Sequence, residues 1–117
     1  MSSLAITIRQ VHDVVILVCV GAMTSAAGEN AFLKPVSKLI TDYGYRKFIV
    51  DFGEVDHLDS HGIGQLAAVL GLLEKEKGGC LRLVKLNGKV RSHFITLKLD
   101  TIFQTFNDEA SALASFD

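Results

Sequence analysis

A small α/β fold with a mixed, largely parallel sheet is what this sequence predicts, and three observations predict it. Two apolar runs, L-A-I-T-I at 4–8 and V-V-I-L-V-C-V at 14–20, are separated only by a brief turn. Two helical stretches then alternate with two further apolar runs, at 46–52 and 81–86. A β-α-β-α-β centre demands right-handed crossovers and parallel strands. Finally, 117 residues without an internal linker is the size of one unit, residues 1–117. The predicted order is β-β-α-β-α-β-α-α.

The first run alternates apolar and polar residues, the pattern of a half-buried strand, and the second is nearly continuous, as in an interior strand. His12-Asp13 between them is too short for a crossover, so the pair reads as an antiparallel hairpin. Residues 21–28 form a small-residue connection. Phe32, Val36, Leu39, Ile40 and Tyr43 then recur at helical spacing and form one buried stripe. Pro35 either sits in that helix's first turn or kinks a helix begun near Ser25. Gly44 ends the helix, and 46–52 is the next strand. After Ser60, the residues Ile63, Leu66, Ala67, Leu70 and Leu73 mark the core side of a second helix, stopped by Gly78-Gly79. Its other side, through His61, Gly64, Gln65, Ala68 and Leu72, is also small or apolar. A helix with two weakly polar faces is deeply buried or carries a partner surface. Residues 81–86 form a strand, 90–97 a short helix, and 108–116 a final helix capped by Asn107 or Asp108.

The most informative stretch reads I-V-D-F-G-E-V-D-H-L-D-S-H-G-I-G from 49 to 64. A strand passes through a polar turn into Asp59-Ser60-His61-Gly62, where the long helix begins. An acid, a hydroxyl, an imidazole and unpaired backbone N–H groups thus meet at one helix N-terminus, a place that favours anions. This stretch resembles the signature of STAS domains of the anti-anti-sigma type, V-L-D-L-S-x-V-x-x-x-D-S-S-G-L-G. G-G-C-L-R-L-V at 78–84 is similar to that family's G-G-x-L-x-L-V strand. L-D-T-I-F-Q-T-F at 99–106 is similar to its L-D-x-L-F-x-x-F segment, and D-E-A-S-A-L at 108–113 to its D-x-x-E-A-L helix. Four such matches in order cover nearly the whole chain.

The resemblance implies a domain that binds proteins, usually anti-sigma factors that are serine kinases. In that family phosphorylation of the serine before the glycine breaks the complex, because a doubly charged phosphate in an apolar interface costs desolvation and repulsion. Three positions depart from the pattern. His61 stands where the phosphorylated serine is expected. Thr24, in Gly21-Ala22-Met23-Thr24, stands where G-E-L-D carries an acid. Leu97-Lys98-Leu99 replaces T-G-L. A hydroxyl survives one residue early, at Ser60, turned by about 100° around the incipient helix.

Each site residue also has a plainer role. Ser60 reads first as the helix N-cap, accepting from the N–H of residue 62 or 63, while Asp59 caps or offsets the positive helix end. His61 could be a metal ligand, a phosphohistidine or a pH-sensitive contact; with His57 four residues upstream and no third ligand, a metal site is rejected, and a surface histidine is the plainer reading. His12 and His93 are solvated. Gly62-x-Gly64 is too short for a dinucleotide fingerprint. Cys19 and Cys80 lie within apolar runs and read as reduced and buried, which points to the cytoplasm.

Composition excludes other classes. With 49% hydrophobic and 21% charged residues the chain is too apolar for disorder. A formal net charge of −1 gives no footprint for nucleic acid or an acidic membrane. The opening M-S-S-L-A-I-T-I-R lacks a signal peptide's basic and apolar regions, and no apolar run approaches about twenty residues. No nucleophile–base–orienter set can be assembled and no cofactor is called for. The expected function is a non-enzymatic antagonist of an anti-sigma factor or serine kinase-type regulator, binding through Thr24, Asp59, Ser60, His61, Gly62, Gln65, Ala68 and Leu72. The alternatives are a cytoplasmic STAS subunit of a lipid-transport complex and a nucleotide- or small-ligand-binding module using the helix start at Gly62. The oligomeric state is not readable from sequence.

Overall fold

Alternation and a two-residue turn fold the N-terminal segment back on itself. In the computed structural model, which describes residues 3–28 and 30–116, β1 (Leu4–Val11) pairs antiparallel with β2 (Val14–Met23), as the sequence predicts. His12 takes the tight turn at φ 55°, a left-handed conformation that histidine tolerates better than most residues. The chain then crosses over through α1 (Leu33–Thr41) to β3 (Lys47–Leu58), through α2 (Ser60–Glu74) to β4 (Cys80–Val84), and through α3 (Gly88–Thr96) to β5 (Gln104–Phe106). Helix α4 (Glu109–Ala114) ends the described chain. The sheet has five strands in the order β1-β2-β3-β4-β5, and every pair after the hairpin is parallel.

The fold class is therefore the predicted one, with a fifth strand added. β5 has three residues, two of them exposed, so it carries no alternation that a sequence pattern could detect. The polar turn expected after Phe52 is also absent. β3 runs on to Leu58, burying Val55 and Leu58 while Glu54, Asp56 and His57 face solvent. Its pairing with β2 shifts register between Val18 and Val20 and again between Gly21 and Ala22, which bends the two strand ends together toward the start of α2.

Helices cover the sheet unequally. On one face α1, α2 and α3 enclose the main core, where Phe52 meets Phe94 edge-on at 6.2 Å and Phe94 meets Phe103 at 5.9 Å. On the other face α4 alone seals Val14, Ile16, Ile49 and Val84 with Ala112. The α4 cap is Asp108, which accepts from the Ser111 N–H at 2.7 Å.

Of the two readings of Pro35 the structure takes the first: it lies in the first turn of α1, and Ser25–Ala27 is a separate 3-10 turn. Several packing assignments are corrected. Val36 and Ile40 are buried on α1, but Tyr43 lies past the helix end and is 66% exposed. In α2 the buried stripe is Gly62, Gln65, Leu66, Val69 and Leu73; Ala67 faces outward, and Ile63 and Leu70 are half-buried. Cys19 is fully buried, and desolvation together with the charge of Asp51 pushes its thiol up to about 12. Cys80, at the start of β4, is only half-buried; both thiols are free.

Candidate functional site

β2 and β3 are parallel neighbours, so their C-terminal ends arrive side by side, and the segments that follow them must meet. Thr24 begins the connection after β2 and is half-buried; Asp59 begins α2 after β3. One carboxylate ties the two together. Asp59 Oδ1 accepts from the Gly62 N–H at 3.0 Å, capping α2, while Oδ2 accepts from the Ser25 N–H at 3.1 Å and the Ser25 hydroxyl at 3.4 Å. The N-cap is thus Asp59 and not Ser60, which takes the first helical position and is exposed. Partial desolvation works against the charged form of Asp59. The N–H groups of Gly62, Ser25 and His61 outweigh it and hold the carboxyl below its ordinary value.

Gly62 is buried and belongs to the framework, not to a binding surface. A Cβ at this position would lie 2.0 Å from the Met23 carbonyl oxygen, so the start of α2 presses directly on the end of β2. Gln65 is likewise corrected from the outer face to the interior, at 5% exposure. Its Oε1 accepts from the N–H groups of Phe32 and Leu33, both at 2.9 Å. Helix α1 has no side-chain cap of its own and no acid in its first turn. Gln65 of α2 supplies the missing acceptor, because the free N–H groups of a helix start need partners when buried. Helical spacing alone assigns Gln65 to the side opposite Leu66 and Leu73, and carries no sign of a bond to another helix.

The remaining candidates do reach the surface. His61, Gly64 and Ala68 are exposed along one side of α2, with Ala67 beside them and Gly71 and Leu72 half-exposed further along. No charge interrupts this side before Glu74. Added Cβ atoms at Gly64 and Gly71 would meet nothing within 4 Å. The chain's own packing therefore gives no reason for these glycines, although each weakens a helix interior by roughly 0.5–1 kcal/mol relative to alanine. His57 and His93 flank a small groove of about 140 Å³ between the end of β3 and α3, beside Lys89.

The anion-binding reading of the helix start loses its main donor. The Gly62 N–H is already given to Asp59, whose charge repels a phosphate at the same place. Among the described residues, no group of three or more His, Cys, Asp or Glu side chains could hold a metal ion. Among them too, no helix is long and apolar enough to cross a membrane.

Known structures share this architecture. A Thermotoga maritima protein assigned as an anti-sigma factor antagonist is 25% identical, with 95% of this chain and 93% of that one aligned at a TM-score of 0.76. An anti-sigma factor antagonist from Mycobacterium paratuberculosis aligns over 97% and 94% of the two chains at 21% identity and a TM-score of 0.82. The Bacillus cell fate determinant SpoIIAA in its phosphorylated form aligns over 97% and 100%, at 18% identity and a TM-score of 0.72. No curated protein sequence matches significantly. The STAS domain family matches residues 5–112, nearly the full length described above, and the chain belongs to that family.

Proposed function

We propose that this STAS domain is a non-enzymatic, cytoplasmic regulator that binds an anti-sigma factor or a serine kinase-type partner, in the manner of a partner-switching antagonist. The observation that carries the reading is the outer side of α2. His61, Gly64, Ala68, Gly71 and Leu72 form a strip with no carboxylate, lysine or arginine, and added Cβ atoms at its two glycines would meet nothing of the chain within 4 Å. Small side chains let another backbone come close, and the hydrogen bonds from Asp59 to Ser25 and Gly62 fasten the strip's leading end to the end of β2. Thr24 and Ser60 border that end. Likeness to anti-sigma factor antagonists in the T. maritima protein supports the same class of partner.

Substitution at Ala68 tests the surface. Ala68→Glu places a carboxylate on an exposed helix position, so the melting temperature should stay within a few degrees of wild type. Against a partner recovered from the native host, affinity should fall by at least tenfold, because an interface that buries an uncompensated charge loses several kcal/mol. Unchanged affinity, measured by calorimetry, would move the interface off α2.

His61 determines what remains of a phosphorylation switch. Neither the imidazole at 61 nor the displaced hydroxyl of Ser60 reproduces a serine directly before Gly62. Incubation with a serine kinase partner and ATP should therefore leave the intact mass unchanged. His61→Ser should restore a phosphate-sized increment, and His61→Asp should bind the partner more weakly than His61→Ser does. Rapid stoichiometric phosphorylation of wild type at Ser60 overturns this assignment.

A further inference from the structure

The outer edge of the sheet is a long strand paired on one side among the described residues. β1 pairs with β2 along one side only, and Ser3 continues that register opposite Ala22, whose N–H donates to the Ser3 carbonyl at 2.8 Å. Antiparallel ladders alternate, so Ala5, Thr7, Arg9 and Val11 direct their backbone groups at β2. Leu4, Ile6, Ile8 and Gln10 then direct theirs outward, where no strand among the described residues pairs with them. Edge strands are commonly guarded by proline, lysine, a bulge or brevity. The other edge is guarded by brevity, since β5 has only three residues. β1 has eight residues, an unbroken register, and neither proline nor lysine. Its one charged residue, Arg9, is engaged by Glu109 of α4. Ile8 stands 52% exposed in the middle of this edge.

We propose that β1 pairs antiparallel with β1 of a second copy of this chain, about a two-fold axis at Thr7, joining two sheets into one. The outward residues fix the axis. A continuous sheet requires each outward residue to face another outward residue, which centres the axis on a residue; the three centres that keep most of the strand paired are Ile6, Thr7 and Ile8. Centring on Ile8 sets Leu4 against the turn at His12, and centring on Ile6 leaves Gln10 without a partner among the described residues. Only the axis at Thr7 engages all four, placing Ile6 against Ile8 and Leu4 against Gln10 of the second copy. Exposed Ile8 is then covered, and Arg9 falls opposite Ala5 of the second copy, so no like charges oppose each other across the ladder. A formal net charge of −1 adds little long-range repulsion between copies. The contact lies on the far side of β2 from β3, which leads into α2, so it goes beyond the partner surface proposed above and does not depend on it.

Sedimentation equilibrium from micromolar to several hundred micromolar protein, with cross-linking, tests both the contact and its register. Wild type should shift from monomer to dimer mass over that range, and Ile8→Lys should stay monomeric with an unchanged circular dichroism spectrum. In a Cys80→Ser background, Thr7→Cys should oxidise to a covalent dimer, because facing non-hydrogen-bonded residues sit about 4.5 Å apart at Cα, within disulfide reach. Ala5→Cys, which faces position 9 of the second copy, should cross-link at least tenfold more slowly. Wild type monomeric throughout overturns the proposal, including the case in which β1 serves another protein's strand. Equal cross-linking from positions 5 and 7, or a dimer that Ile8→Lys leaves intact, overturns it too. Should Ile8→Lys fail to fold, the two cysteine variants decide alone.

Discussion

Gly62→Ala will melt roughly 10 °C below wild type, a loss of about 3 kcal/mol, and will do so through one steric contact. The added methyl lies 2.0 Å from the Met23 carbonyl oxygen, and real Cβ contacts do not fall below 3.0 Å. The obstacle is backbone, so no side-chain rotation relieves it. The start of α2 has to retreat from the end of β2 by about an ångström, and the bonds from Asp59 to Gly62 and Ser25 stretch with it. Gly64→Ala provides the comparison, two residues along the same helix. Nothing lies within 4 Å of its added methyl, so it should gain about 0.5–1 kcal/mol of stability from helix propensity alone. Differential scanning calorimetry of the two variants separates packing from propensity. A Gly62→Ala protein that melts with wild type would show that the close approach is not what holds this junction together.

Gln65→Leu should lose about 2–4 kcal/mol although leucine is the more apolar side chain. It deprives two N–H groups, those of Phe32 and Leu33, of their shared acceptor at the start of α1. An orphaned buried donor costs about 1–3 kcal/mol, and the extra apolar area returns only part of that loss. The damage should appear at a distance from the substitution. Amide hydrogen exchange should accelerate first at Phe32 and Leu33, on a different helix, before the α2 amides are affected. Uniform acceleration throughout the chain would instead identify a plain core defect.

What the sequence disclosed and what it concealed follow from the range of the forces involved. The hairpin was legible because strand alternation and a two-residue connection are local. The parallel centre was legible because strand and helix periods alternate along the chain. The sequence assigns Gly62 to the binding surface with its neighbours, because nothing local reveals that the Met23 carbonyl presses on it. Gln65 misled because its partners lie more than thirty residues away, and only folding reveals that α1 lacks a cap. Asp59 and Ser60 are equally good capping residues on paper. Asp59 takes the role because its second oxygen also reaches Ser25, a tertiary contact that a hydroxyl could not duplicate while capping. Tyr43 followed the helical spacing of α1, yet the helix stops before it. Gly44, at φ 75°, turns the chain so that the Tyr45 N–H reaches back to the Leu39 carbonyl.

The strand order has a consequence for how the molecule comes into being. Because β1 to β5 lie in the sheet in the order of synthesis, each new strand can dock on the one made just before it. No strand has to wait for a distant segment or insert between two already paired, so each loop closure spans only one helix and its connections, which keeps its entropic penalty modest. One apolar surface remains open until the end, however. Val14, Ile16, Ile49 and Val84 are sealed by α4, which is made after every strand of the sheet. A nascent chain that stalls before residue 109 therefore carries a finished strand ladder with an oily back, and the docking of short α4 is the step that covers it against aggregation.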